Sequence, residues 1–186
     1  MDSETSAVDD AASRLVVLVN GIPAAGKTTL ARALSRRLGL PLFSKDVIKE
    51  AHAEVFGAQP PDERPQREWN RQFGQAASDT MWALLADSAC GAVLESTWPS
   101  QSTWGFVQAG LASAGVERAL QIWCAVPADL ARERYELRVP TRHSVHGVPP
   151  DADPLQKIPS KQKIPRTVPP QGCAKRGEIL HSGVLS

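Results

Sequence analysis

Eight consecutive residues, Gly21-Ile22-Pro23-Ala24-Ala25-Gly26-Lys27-Thr28, place two glycines, a lysine and a hydroxyl at the spacing G-x-x-x-x-G-K-[ST]. Each fixed position has a chemical reason. Gly21 and Gly26 permit backbone turns that a Cβ would obstruct. The loop from Gly21 through Ile22, Pro23, Ala24, Ala25 and Gly26 to Thr29 then turns its N–H groups inward, where they cradle anionic oxygens. A helix starting near Lys27 adds the positive end of its dipole. The Lys27 ammonium reaches the β- and γ-phosphates, and the Thr28 hydroxyl sits where it ligates magnesium. These residue types in this order predict a site for ATP and Mg2+.

Such a cradle needs a strand before it and a helix after it, and the surrounding pattern supplies both. Leu15–Asn20 is a continuous apolar run, as expected of a strand buried on both faces. Thr28–Leu38 reads as a helix closed by Gly39. Leu40–Ser44 reads as a second strand. Asp46–Phe56 sets Val47, Ile48, Ala51, Val55 and Phe56 on one helical stripe that Gly57 ends. Gln59–Pro65 is a loop, and Gln66–Ala89 is a long helix with Trp69, Phe73, Ala77, Met81, Leu84 and Leu85 at helical spacing. Ala92–Glu95 is a third strand, Ser100–Ala114 a helix, Ala119–Val126 a fourth strand and Ala128–Arg138 a charged helix. This alternation predicts an α/β fold, a parallel sheet with helices on both faces.

From Val17 to Glu50 the chain resembles the AAA-type small P-loop kinases. That group includes the kinase domain of phage polynucleotide kinase, chloramphenicol phosphotransferase and the zeta toxins. The resemblance covers about residues 14–147 and is most specific at the phosphate loop and Lys45-Asp46. It implies a three-layer αβα P-loop NTPase sandwich of four or five strands. It also implies Mg-dependent transfer of the γ-phosphoryl group of ATP to a hydroxyl on a small-molecule acceptor. In such kinases an Asp at the position of Asp46 orients or deprotonates the acceptor hydroxyl; the alternative is a helix cap. Lys45 beside it reads as a solvated lysine. An acid at the end of the third strand, here Glu95, holds magnesium in many P-loop proteins; the alternative is a structural carboxylate. Arg134, Arg138 and Arg142, with Arg132 weaker, resemble the lid arginines that close over the triphosphate, where guanidinium forks match phosphate oxygens. Otherwise they belong to an exposed helix salt-bridged through Glu133 and Glu136. Thr97 and Trp98 lie at the carboxyl edge of the sheet, with Trp98 either a core or rim aromatic or a stacking platform. His143 and His146 make a poor metal site without a nearby acid or Cys.

Composition bounds the rest. The chain has 186 residues, 21 Lys and Arg, 20 Asp and Glu, and a net charge of +1. That balance argues against a bulk nucleic-acid binder. A polynucleotide 5′-hydroxyl kinase therefore stands as an alternative rather than the first expectation. No apolar run approaches a membrane span. The first ten residues carry acids and no Lys or Arg, unlike a secretory signal. Three scattered cysteines, Cys90, Cys124 and Cys173, form no disulfide framework, so a reducing cytoplasm is the expected home. Every aromatic lies at or before Tyr135, and the segment after it is rich in proline and lysine. We therefore expect a loose leader at 1–13, a folded domain at 14–147 and an irregular tail at 148–186. The fifth strand of the resembled kinases is expected to be missing or altered. With it goes a further alternative, a non-catalytic nucleotide binder. The sequence leaves the oligomeric state open. Loop 57–65 and helix 66–89 are expected to shape the acceptor pocket, without naming the acceptor.

Overall fold

The computed structural model of the chain describes residues 14–98 and 101–146. The expected leader, the tail and whatever strand it carries lie outside the described residues. Within them the order is β1 (Leu15–Gly21), α1 (Lys27–Leu38), β2 (Leu42–Ser44), α2 (Lys45–Phe56), α3 (Gln66–Asp87), β3 (Gly91–Glu95), α4 (Gln101–Ser113), β4 (Leu120–Cys124) and α5 (Ala128–Arg138). Two short 3-10 turns follow, Val139–Thr141 and Ser144–His146. The strands make one four-stranded parallel sheet ordered β2-β3-β1-β4. The expected α/β sandwich is therefore observed, and every element falls within about two residues of its expected bounds.

Alternation along the strands divides the core. Val16, Leu18, Ala92 and Leu94 face Met81, Trp82 and Leu85 of α3 and Trp104 and Val107 of α4. Val17, Val19, Val93 and Ile122 face Ala31 of α1 and Ala131 of α5. Both faces of β1 and β3 are thus dry, which is why their sequences read as unbroken apolar runs. Gly110 of α4 lets the Trp82 ring approach the helix; a Cβ there would collide with it. A smaller cluster of Ala53, Phe73 and Val145 joins α2, α3 and the last 3-10 turn.

Arg14, just before β1, locks the far edge of the sheet. Its guanidinium donates to the carbonyls of Leu85, Ala86 and Ser88 at the end of α3 and to Ala114 and Gly115 at the end of α4. Carbonyls at a helix end lack the full set of intrahelical partners, and the negative end of each helix dipole favours a cation. The two helices are fixed at that edge, and the site lies at the opposite one.

Candidate active site

The carboxyl ends of all four strands converge on one edge, where a cleft of about 740 Å3 opens. Its floor is the loop between β1 and α1. Gly21 has φ 150°, and a Cβ on it would stand 2.8 Å from the Cys124 carbonyl oxygen. Gly26 has φ 87°, and Ala24 takes the left-handed conformation at φ 61° without being glycine. An alanine held there costs roughly 1–2 kcal/mol, strain of the kind that collects at ligand sites. The first backbone bond of α1 runs from Leu30 N to Gly26 O. The amides of Lys27, Thr28 and Thr29 precede it and point out of the helix end into the cleft.

Lys27 is 8% exposed and donates from Nζ to the Ile22 carbonyl at 2.9 Å. Burial pushes its ammonium below the ordinary lysine range, against the pull of the Glu95 and Asp46 carboxylates. Glu95 is 3% exposed, and β2 and β3 pair Ser44 with it directly. The Ser44 hydroxyl donates to Glu95 Oε2 at 2.6 Å, so one carboxylate oxygen is held. Asp46 stands in the first turn of α2, exposed, on the cleft wall. The helix starts at Lys45, so the cap position belongs to Ser44, whose hydroxyl is given to Glu95 instead. Asp46 therefore is not the cap, although its charge favours the helix start.

The opposite wall comes from α5 and the turns after it. Tyr135, Arg138 and Arg142 line the cleft. Arg142 donates to the Tyr135 hydroxyl at 2.5 Å and lies over its ring, 4.9 Å from the centroid. Arg134, expected beside them, is exposed and does not line the cleft. Tyr135 and Arg138 define the inward face of α5, and Arg134 sits a turn earlier on its outer flank. No ion pair joins Arg134 or Arg138 to Glu133 or Glu136 among the described residues. The segment after α5 is tied to α2. His143 Nε2 meets Glu54 at 2.8 Å, His146 Nε2 meets Glu50 at 2.8 Å, and Lys49 donates to the Val145 carbonyl at 2.9 Å. The two histidines thus have structural partners.

The donors fit a magnesium ion. A buried carboxylate with one oxygen left, a neighbouring Thr28 and a phosphate cradle match a metal that takes one or two carboxylates plus substrate oxygens. No group of three or more acids, histidines or cysteines is gathered for a metal among the described residues.

Four further residues escaped the sequence reading. Asn20 is fully buried; its Oδ1 accepts from the Gly21 and Trp98 amides at 2.7 and 2.9 Å, and its Nδ2 donates to the Trp98 carbonyl at 3.0 Å. It locks the start of the cradle to the segment after β3. The one clue was a polar residue ending an apolar run, since a buried amide needs partners. Ser44, Tyr135 and Glu50 carried no comparable signal. Trp98 is buried against Trp82, as a core or rim aromatic.

The sequence matches the AAA domain family over residues 16–152. The chain belongs to that family. Its fold is the one the small P-loop kinases share. A protein from Chloroflexus aurantiacus provisionally named a kinase is 30% identical over 87% of this chain and 85% of its own, with a TM-score of 0.69. A structure from the PezAT toxin–antitoxin system of Streptococcus pneumoniae is 17% identical over 68% of this chain and 53% of its own, at a TM-score of 0.51, a likeness of fold alone. A shikimate kinase from Acinetobacter baumannii, solved with shikimate, aligns at 17% identity over 80% and 74%, with a TM-score of 0.49. None of the curated proteins matches the sequence. Among the described residues of this AAA domain, no helix is long and apolar enough to cross a membrane.

Proposed function

We propose that this AAA domain is a magnesium-dependent phosphotransferase that moves the γ-phosphoryl group of ATP to a hydroxyl of a small molecule. The observation that carries the proposal is the cleft itself. Lys27, Thr28, Asp46, Glu95, Arg138 and Arg142 come from four separate stretches of sequence and line one cavity. Loop amides and Lys27 bind the triphosphate. Thr28 and Glu95 would hold magnesium, which would neutralise charge on the phosphate oxygens. The acceptor oxygen attacks the γ-phosphorus, the bond from that phosphorus to the β-phosphate oxygen breaks, and ADP leaves. The hydroxyl proton passes to the Asp46 carboxylate and from there to water. Arg138 and Arg142 meet the charge that spreads over the transferring group. Asp46 is exposed on the cleft wall, and transfer of this kind rests on positioning and charge.

Thermal unfolding with and without Mg-ATP is the first test. A ligand that binds only the folded state stabilises it by about 2.7 kcal/mol at a hundredfold excess over Kd. We expect a rise in Tm that Lys27→Ala abolishes, and slow ATP hydrolysis by the unsubstituted chain. A cooperative transition indifferent to Mg-ATP would overturn the proposal.

A further inference from the structure

A second cavity, of about 790 Å3, runs between α3 and α4 and shares with the first cleft only Thr97, which lines both. Helix α3 turns one stripe into it, with Arg71, Gln75 and Asp79 near the reactive edge and Trp82 deeper in. Trp98 and Phe106 complete its apolar part. Trp82 and Trp98 lie nearly parallel with centroids 6.3 Å apart, and Phe106 is 68% exposed although it faces the groove. The two indoles are buried and back the groove, and exposed Phe106 beside them leaves a face suited to a flat apolar ring.

The charges at the mouth are unbalanced. Lys45 and Arg71 line it with Asp79 as the single acid. Asp79 already accepts from Gln75 at 2.9 Å. Lys45 has no hydrogen-bond partner among the described residues, yet it is half-buried, between Asp46 in the first cavity and Asp79 in the second. Lys45 also precedes Asp46 directly in sequence, so the groove mouth and the proposed acceptor carboxylate are one residue apart.

We propose that this groove holds the non-reacting part of the acceptor, and that the acceptor is a hydroxylated molecule with an apolar ring and an anionic group. The ring lies against Trp98 and Phe106, the anion meets Lys45 and Arg71, and the hydroxyl reaches past Thr97 to Asp46. The proposal rests on the phosphotransferase function above, and its test is built to fail separately. The probe is 4-(hydroxymethyl)benzoate, which carries all three features in one small molecule. Its binding is measured by calorimetry without nucleotide, while Mg-ATP binding is followed by Tm in the same variants.

A molecule of this size is expected to bind with a Kd of a few millimolar. Arg71→Glu should weaken it about tenfold or more, and Phe106→Ala severalfold. Both positions are exposed, so neither change should alter the Tm rise with Mg-ATP. Benzyl alcohol, which lacks the anion, should bind more weakly than the probe and be indifferent to Arg71→Glu. Equal affinity in all three proteins would overturn the groove as the site. No binding of the probe up to about 20 mM would overturn the ring-and-anion assignment. Loss of the Mg-ATP response in the unsubstituted chain would count against phosphotransfer and leave the groove result standing.

Discussion

The Ser44–Glu95 pair shows how a single hydroxyl decides what a buried acid can do. Glu95 sits at the end of a strand that is dry on both faces, where an unpaired carboxylate is expensive. Ser44 satisfies one oxygen from the neighbouring strand and leaves the rest of the group to the cleft. Ser44→Ala strands that oxygen. The unfolding free energy should fall by about 1–3 kcal/mol, read as a lower denaturant midpoint at unchanged slope. A midpoint that does not move would show that water replaces the serine and that the pair has no structural weight. At this scale the loop between β1 and α1 was legible as a strand–turn–helix, because its pattern is written in contiguous residues. Ser44 and Asn20 were not. Their partners lie 51 and 78 residues away, and only the strand order β2-β3-β1 brings them together.

Elements were easier to read than their relations. Helix and strand positions follow from local periodicity, and the structure keeps them. What periodicity could not give is that the segment after α5 folds back onto α2. Val145 is fully buried beside Ala53 and Phe73, while Glu50, Glu54 and Lys49 present one polar face to it. This docking carries Arg142 to the cleft and leaves Arg134 outside, a distinction that i,i+4 spacing on one helix does not contain. Val145→Asp should undock the segment, raising the KM for ATP by about tenfold or more, the effect of about 1.4 kcal/mol, while Asp46 and the cradle stay intact. An unchanged KM would mean that Arg142 does not touch nucleotide. The same contact depends on pH. Burial pushes the His146 imidazole below its ordinary 6.5, against the raising effects of Asp46 and of its bond to Glu50, and Lys49 and Arg142 add to the lowering. A base depressed on folding binds fewer protons folded than unfolded between the two values, so stability rises with pH across that window. Docking is complete above about 6.5 and is lost as pH falls through the folded value. Hydrogen-exchange protection across residues 139–146, taken relative to the intrinsic rate at each pH, should therefore fall below pH 6.5, and His146→Gln should flatten the change. Identical pH profiles for the two proteins would remove His146 from the docking.

Charge acts on the whole molecule. With 21 basic and 20 acidic side chains the chain has no net field to draw a polyanion. Four of its cationic groups, Lys27, Arg32, Arg138 and Arg142, line one cavity, where Lys27 is buried and Arg142 is half-buried against Tyr135. Such placement suits a few phosphates held at close range, which salt screens weakly, and not a long backbone followed across a surface. The two possibilities separate cleanly in ionic strength. A nucleic-acid acceptor contacting six to ten phosphates would lose about 10³–10⁵ in affinity between 50 and 200 mM salt. For a small acceptor we expect kcat/KM at saturating Mg-ATP to change by less than about threefold over that range, since only one anionic group needs to be steered. A fall of two decades or more would transfer the acceptor to the polynucleotide class, and with it the purpose of the α3–α4 groove. Near-constant turnover would tie the balanced net charge, the cleft-lining arginines and the ring-lined groove to one design, in which specificity is set by what fits beside Asp46 and not by long-range attraction.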